Sequence, residues 1–448
     1  MANPSAQDIV ARLQSGAAAA SDLMRDLGVS QPTISRLTSR LVRDKRVLRI
    51  GATRGARYAL RREVASLGSS WPAYRVDAAG NARQVGVLQA LAANQFHFEA
   101  SDPALAAVSG LSDGLPYFLQ DQRPAGFLGR LVPRRYPELH LPQRVADWTD
   151  DHYLAYLTQR GSGTVSDLIV GEASMDRHLA GDADEVIAER ERTACYPKLA
   201  RETMSGGIPG SSAHGENPKF AAKVRRREGA ASVLVKFSPP RDTETGRRWS
   251  DLLVAEHLAH VALETAGIPS CRSEILEAGD RTFLEMIRFD RAGATGRVGV
   301  TSLHAVDLRR YGKLDEWTAA AERLSADGIL GEQDVERIRF LAAFGAAIAN
   351  TDRHFGNIAF LDQYDGQLAL APAYDMLPML FAPAHEQIVP RAFEPPTPSA
   401  RTLSVWESAL ALARVYWSEI ASDRRVSAGF RKIAAECDRR LGGTMRRR

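Results

Sequence analysis

The sequence has few cysteines and no long apolar run. Cys195, Cys271 and Cys437 are scattered through 448 residues, with no CxxC pair, so they build neither a disulfide framework nor a structural zinc site. The most apolar stretch, residues 340–349, is far shorter than the roughly 20 residues of a membrane span. The N-terminus lacks the basic-then-apolar pattern of a secretory signal. We therefore expect a reduced, cytoplasmic protein without a membrane partner.

The charge is concentrated at one end of the chain. Overall the sequence is 44% hydrophobic with a net charge of +4, which excludes disorder for most of it. Residues 1–62 contain 12 Lys and Arg and four acidic residues, a net charge of +8, so the remainder carries −4. A basic head of this kind favours a polyanionic partner such as DNA.

Residues 1–62, here called the head, have the pattern of a winged helix-turn-helix. Apolar spacing predicts helices over 5–16, 20–27 and 31–44, and alternating runs around GATRGA predict a two-stranded wing. Polar and basic side chains on the third helix and wing are suited to contact bases and phosphates. The predicted DNA-binding residues are Gln31, Thr33, Ser35, Arg36, Arg40 and Arg54. The alternative is a winged helix used only for protein contact. We predict a linker over 63–74.

The strongest chemical signal is IANTDRHFGNIAFL at 348–361. Asp352 and Asn357 are five residues apart, and Asp375 follows a second apolar run. Phosphoryl transfer from ATP needs one carboxylate that accepts the hydroxyl proton, and an Asn and an Asp that hold Mg²⁺. The sequence supplies that set in that order.

Residues upstream complete a candidate ATP site. Lys236 ends an apolar strand and is suited to bind ATP phosphates, and Glu256 on the next helix is a candidate ion-pair partner. The segment 283–291 reads as a strand whose exit offers backbone groups to adenine and a carboxylate to ribose. Its predicted ATP-binding residues are Met286, Ile287, Phe289 and Asp290. The glycine-rich loop 206–220 offers backbone donors to phosphate.

The ordered motifs SSAHGENPKF, LVKF, FLEMIRFDR, NTDRHFGN and AYDMLP resemble the HipA family of serine/threonine-protein kinase toxins, over residues 75–448. The resemblance implies Asp352 as catalytic base, Asn357 and Asp375 as Mg²⁺ ligands, and Lys236 as the ATP-phosphate ligand. His354 would help to organise the site. The autophosphorylation loop of the family maps onto Ser212, Gly215, Asn217 and Lys219, with Ser211 as a neighbouring hydroxyl and Asn217 in place of the usual Gln.

The fused head is a departure from the best-known members of the family, in which a separate small protein binds DNA. It resembles the YjjJ-like branch and implies autoregulation in cis. The expected fold is α+β: a winged helix, a mixed α/β kinase subdomain over 75–300, and a mostly helical subdomain over 301–448, with ATP and Mg²⁺ between the last two. The resemblance implies a protein substrate, such as an aminoacyl-tRNA synthetase, and hence inhibition of translation.

Two other functions remain open from the sequence. One is a DNA-binding transcriptional regulator whose kinase-like body only senses nucleotide. The other is a small-molecule phosphotransferase, because such enzymes share the Asp-x4-Asn loop. Since winged-helix proteins often bind palindromic sites, we also expect a homodimer.

Overall fold

The computed structural model describes residues 4–52, 55–181, 186–205, 217–384 and 387–445. The head contains three helices and a small antiparallel sheet of strand order β1-β3-β2. Its elements are α1 (Ala6–Leu13), β1 (Ala18–Ala19), α2 (Ala20–Leu27), α3 (Gln31–Arg43), β2 (Val47–Ile50) and β3 (Arg57–Leu60). One apolar side of each helix faces a shared core that includes Ile9, Leu23 and Ile34. Gly28, at φ +65°, ends α2 in the left-handed conformation that glycine adopts without strain.

A five-stranded antiparallel sheet of order β7-β6-β5-β4-β8 forms the middle of the chain. Its region comprises β4 (Ser70–Val76), β5 (Ala82–Leu91), β6 (Gln95–Ala100), β7 (Gly110–Asp113), α4 (Gly126–Arg135), α5 (Asp150–Arg160), β8 (Leu168–Val170) and α6 (Glu172–Ala180). This sheet has its own apolar core, which includes Phe96, Phe98 and Leu154.

The middle sheet corrects two predicted boundaries. The linker predicted over 63–74 is wrong in its second half: β4 begins at Ser70, because Trp71 and Ala73 alternate into the core of the sheet. The head also continues directly onto this sheet, since the Arg62 N–H donates to the carbonyl of Ala90 at 3.0 Å. The single subdomain predicted over 75–300 is wrong as well, because two separate sheets with separate cores occupy that range.

The second large sheet has the order β12-β13-β11-β10-β9. Its region comprises β9 (Val186–Ala188), α7 (Arg192–Ser205), β10 (Lys219–Arg226), β11 (Gly229–Phe237), α8 (Glu244–Thr265), β12 (Ser273–Ala278), β13 (Arg281–Ile287), β14 (Arg291–Ala292) and β15 (Gly296–Arg297). Side chains of β11 alternate between two faces. Val235 and Phe237 pack with Tyr196 of α7, whereas Leu234 packs on the opposite side with Leu253 of α8. Lys236 is therefore directed toward α8.

The C-terminal region is mostly helical. It contains β16 (Val300–Ser302), α9 (Leu303–Arg310), α10 (Trp317–Ala326), α11 (Glu332–Ala347), β17 (Ala359–Asp362), β18 (Leu368–Leu370), α12 (Trp406–Ser422) and α13 (Ala428–Met445). The three short strands form an antiparallel sheet of order β16-β17-β18. The helices and the inner side of α8 share the largest apolar core of the described residues. No helix within those residues is both long enough and apolar enough to span a bilayer.

Candidate functional site

A buried ion-pair cluster lies between the second sheet and the C-terminal region. The Lys236 ammonium on β11 donates to both carboxylate oxygens of Glu256 on α8, at 2.7 and 2.9 Å. It also donates to Oδ1 of Asp375, which lies on the loop after β18. Lys236 and Glu256 are 4% and 0% exposed. Two carboxylates from separate segments of the sequence therefore meet around the ammonium of Lys236.

Burial and charge act in opposite directions on the pKa values of this cluster. Burial lowers the pKa of Lys236, but the charges of Asp375 and Glu256 outweigh it and raise that pKa above its usual value. Burial raises the pKa of Glu256, and the Lys236 charge offsets this only in part. Burial also acts to raise the pKa of Asp375, but the charges of Lys236 and Lys219 hold it well below its usual range. Lys236 and Asp375 are therefore charged at neutral pH.

One buried amide, which the sequence reasoning missed, joins the two acidic loops. Asn350 lies just beyond α11 and is fully buried. Its Nδ2 donates to the backbone carbonyl of Asp375 at 3.2 Å, and its Oδ1 accepts the Asp352 backbone N–H at 3.0 Å. Asp375 adopts φ +53°, an uncommon conformation for a residue with a side chain. The bond to the backbone two residues on is an Asx-turn, and an Asn in a loop before the predicted base is the signal that could have pointed to Asn350.

The loop around Asp352 is shaped by further side-chain bonds. Asn357 donates from Nδ2 to the Asp352 carbonyl at 2.8 Å. Nδ1 of His354 accepts the Gly356 N–H at 3.0 Å, so His354 stabilises the turn between Asp352 and Asn357. The Tyr374 hydroxyl donates to the Gly356 carbonyl at 2.6 Å. The Asp352 side chain is exposed and therefore accessible to an incoming hydroxyl.

The donor set of the two loops fits a magnesium ion held mainly by nucleotide. Asn357 uses its Nδ2 on the Asp352 backbone, which leaves the amide oxygen as the ligand atom. Asp375 supplies a carboxylate that is 32% exposed. Mg²⁺ prefers oxygen ligands and needs one or two protein ligands when phosphates supply others. Among the described residues, no group of three or more His, Cys, Asp or Glu side chains is arranged to hold a metal ion without such help.

The exit of β13 lies beside this cluster. The side chains of Met286 and Ile287 pack into the cores on opposite sides of the sheet, so only their backbone can face adenine. Phe289 lies against the ring of Tyr374, with ring centroids 5.9 Å apart. Asp290, predicted to lie near the ribose, is 5% exposed.

The carboxylate oxygens of Asp290 are occupied by arginines. Oδ2 accepts from Arg288 at 2.7 Å and from Arg291 at 2.6 Å, and also from the Ser166 N–H at 3.3 Å. Burial acts to raise the pKa of Asp290, but the charges of Arg288 and Arg291 hold it far below its usual value. Asp290 therefore links the loop before β8, through Ser166, to the segment that follows β13 of the second sheet.

The predicted phosphate loop is described only at its end. Ser211, Ser212 and Gly215 lie outside the described residues. Asn217 is 8% exposed, and its Oδ1 has no hydrogen-bond partner among the residues that the structure describes. Lys219 stands directly opposite Lys236 in the β10–β11 ladder, so both side chains lie on the α8 face of the sheet. A second cation, Lys219, thus adjoins the ion-pair cluster.

The predicted DNA-binding residues of α3 lie on its outer side. Gln31, Ser35, Arg36 and Arg40 are exposed, and Thr33 is half-buried with its hydroxyl 3.2 Å from that of Ser30. Arg54, at the predicted wing tip, lies outside the described residues. The face that α3 presents to solvent is polar and basic.

Comparison with known proteins agrees with this arrangement. The family model described as the middle domain of YjjJ-like toxins matches residues 67–179, and the model of the HipA-like C-terminal domain matches residues 211–441. Toxin YjjJ of Escherichia coli (strain K12) is 34% identical over 96% of this chain and 96% of its own length.

Two solved structures align with the chain at low sequence identity. One is HipA of Shewanella oneidensis MR-1, which was solved in complex with HipB and its operator DNA. It aligns with a TM-score of 0.53 and 12% identity, over 83% of this chain and 95% of that one. The proinflammatory kinase CtkA of Helicobacter pylori aligns over 52% of this chain and 90% of its own, with 11% identity and a TM-score of 0.36, too low to establish a common fold. The fold is thus that of a HipA-type protein. The chain belongs to the HipA family, in its YjjJ-like branch.

Proposed function

We propose that this protein is an ATP- and Mg²⁺-dependent serine/threonine-protein kinase with a DNA-binding winged helix in the same chain. The observation that carries the kinase proposal is the meeting of Lys236, Glu256 and Asp375, tied through Asn350 to the Asp352 loop. A buried lysine held by a helical glutamate is the arrangement that positions ATP phosphates in protein kinases.

Each residue has one role in this proposal. Lys236 binds the phosphates, and Asn357 with Asp375 holds Mg²⁺, which would neutralise charge on the transferred phosphoryl group. The exposed Asp352 carboxylate accepts the proton of the attacking serine or threonine hydroxyl. Asn350 keeps the base loop and the metal loop in register because one amide bonds to both backbones.

The kinase proposal is tested by phosphate transfer from γ-³²P-labelled ATP with Mg²⁺, using the full chain alone and with lysate proteins. Wild-type protein should transfer label. Asp352→Asn should reduce the rate by about 100-fold or more, since general-base catalysis contributes about that much. Asp242→Asn, the same change at an exposed position, is the matched control and should react at the wild-type rate. Equal rates for Asp352→Asn and wild type would contradict the mechanism.

The regulatory loop and the substrate class follow from the same family. We propose autophosphorylation at Ser212 or Ser211, and a protein substrate of the translation machinery such as an aminoacyl-tRNA synthetase. Mass spectrometry of the labelled chain should place phosphate at one of these two serines. Phosphate found only at other residues would remove the loop from the proposal. Label that appears only on small metabolites would indicate a small-molecule phosphotransferase instead.

The DNA-binding proposal rests on the head. Three helices and a three-stranded sheet are arranged in the order of a winged helix-turn-helix, and α3 presents Gln31, Ser35, Arg36 and Arg40 to solvent. The HipA relative was solved with HipB and operator DNA. In this chain the head would bind operator DNA itself. We propose that the protein regulates its own gene and acts as a dimer.

Fluorescence anisotropy with labelled fragments from upstream of the gene tests the head. Each lost phosphate contact should reduce the salt slope of log K by about 0.9, so Arg36→Gln with Arg40→Gln should reduce it by about 1.8. Arg424→Gln with Arg190→Gln removes the same charge at exposed positions outside the head and should leave the slope close to that of wild type. Identical slopes for the two double variants would contradict the assignment of α3.

A further inference from the structure

A chain of polar side chains leads away from Glu256 behind the proposed ATP site. His257 and His260 lie one turn apart on α8, and each places its Nδ1 3.0 Å from the hydroxyl oxygen of Ser273, at the start of β12. His260 is 1% exposed. Within the described part of the chain its Nε2 has no hydrogen-bond partner, and it lies 4.0 Å from Oε1 of Glu256. The imidazole of His260 therefore stands between a serine hydroxyl and the carboxylate that holds Lys236.

The proton positions along this series of polar side chains follow from counting hydrogen-bond donors and acceptors. Burial lowers the pKa of His260 to about 3, so its ring is neutral and carries a single N–H. If that proton were on Nδ1, the lone pair of Nε2 would face the Glu256 carboxylate in a buried site, which is repulsive. With the proton on Nε2, an N–H dipole faces the carboxylate, and Nδ1 accepts the Ser273 O–H.

The single proton of Ser273 then decides the state of His257. Because the Ser273 hydroxyl donates to His260, it can only accept from His257. His257 must therefore carry its proton on Nδ1. The order of donors runs from His257 to Ser273 to His260 to Glu256, and every step has a donor facing an acceptor.

We propose that His260 is a positioning residue for the Lys236–Glu256 pair, with the tautomer of its ring set by Ser273. This inference rests on the proposed function and deepens it. Both Glu256 oxygens are now bonded to Lys236. When Lys236 also bonds to ATP phosphates, its hydrogen bonds to Glu256 become weaker. The His260 N–H is then the neighbouring donor that keeps this buried carboxylate in place.

The tautomers are tested first, on nucleotide-free full-length protein labelled with ¹⁵N-histidine. The chain has 10 histidines, and comparison with His260→Gln and His257→Gln assigns the two signals. Long-range ¹H–¹⁵N correlation spectra should show the His260 proton on Nε2 and the His257 proton on Nδ1. A His260 ring protonated on Nδ1 would overturn the proposal, whether or not the protein is a kinase.

Nucleotide affinity is tested second, by calorimetry with Mg²⁺ and the non-hydrolysable analogue AMP-PNP. His260→Phe keeps the ring but removes the donor, and should weaken binding about tenfold, the effect of losing one hydrogen bond to a charged group. His260→Gln places an amide N–H near the Nε2 position and should restore most of the affinity. His304→Phe, at an exposed position on α9, is the matched control and should bind as wild type does.

The outcomes separate the two proposals. Wild-type affinity in a folded His260→Phe variant would overturn the role of His260 and leave the kinase proposal intact. If the wild-type protein itself binds no AMP-PNP, the proposed function fails, and the tautomer experiment alone decides whether the donor chain exists. Thermal unfolding of each variant shows whether the protein is folded during the binding measurement.

Discussion

Replacing Lys236 by Met should destabilise the protein strongly at neutral pH. The substitution keeps the length of the side chain but leaves Glu256, which is fully buried, beside Asp375 without the ammonium that both acids share. Removing one partner of a buried ion pair costs about 3 kcal/mol or more. For a cooperative folding unit of about 150–250 residues, that corresponds to a fall in Tm of about 6–12 °C.

The pH dependence of this loss has a definite sign. Burial raises the pKa of Glu256 above its usual value even beside Lys236, and without the ammonium the pKa should rise further. A raised carboxyl pKa means that the folded state holds its proton more tightly than the unfolded state does. The deficit of Lys236→Met relative to wild type should therefore be full near pH 7.5 and become smaller near pH 5.5, as Glu256 takes up a proton.

The assay is thermal unfolding followed by circular dichroism at both pH values. The double variant Lys236→Met with Glu256→Gln should recover at least about half of the lost stability, because the unpaired charge is gone and the two effects are not additive. Lys198→Met, at an exposed position on α7, is the control and should change stability by no more than about 0.5 kcal/mol. An equal deficit at both pH values, together with no recovery in the double variant, would refute the reasoning.

Three further predictions concern residues outside the ion-pair cluster. Asn350→Ala leaves two backbone groups without partners; it should cost about 2 kcal/mol in urea unfolding and reduce phosphate transfer, and wild-type transfer would contradict its role. Burial raises the pKa of Asp362 to about 6, so wild-type stability should fall as pH rises through about 6. Asp362→Asn should lack this fall and be more stable near pH 7.5 by about 2 kcal/mol, whereas parallel stability curves would exclude the raised pKa. Gln95 accepts the Ala17 N–H at 2.8 Å. Gln95→Ala should therefore destabilise the packing of the head on the middle sheet by about 1 kcal/mol and speed proteolytic cleavage near residue 62. Unchanged cleavage would show that other contacts hold the head.

Patterns confined to short segments were readable in the sequence. The strand with Lys236 and the helix with Glu256 occur in the structure, and the strand predicted over 283–291 is present as far as Ile287, because alternating and helical apolar periodicities depend on near neighbours only. The HipA family could be inferred from motifs along the chain, and the comparisons confirm it. The end of the linker was misplaced, since only a complete sheet shows that Trp71 and Ala73 belong to a core.

The sequence by itself determined which residue types are present for the proposed phosphoryl transfer and in what order they follow one another. Only the tertiary structure decided which of them meet. It placed Lys236 against Glu256 and against Asp375, which is 139 residues further along the chain than Lys236. It also gave Asn350 the role of joining two loops. It also bonded the Asp290 carboxylate to Arg288 and Arg291. The physical reason is that periodicity shows which face of an element is apolar, whereas the partner of a buried charge is chosen by elements that are distant in the chain.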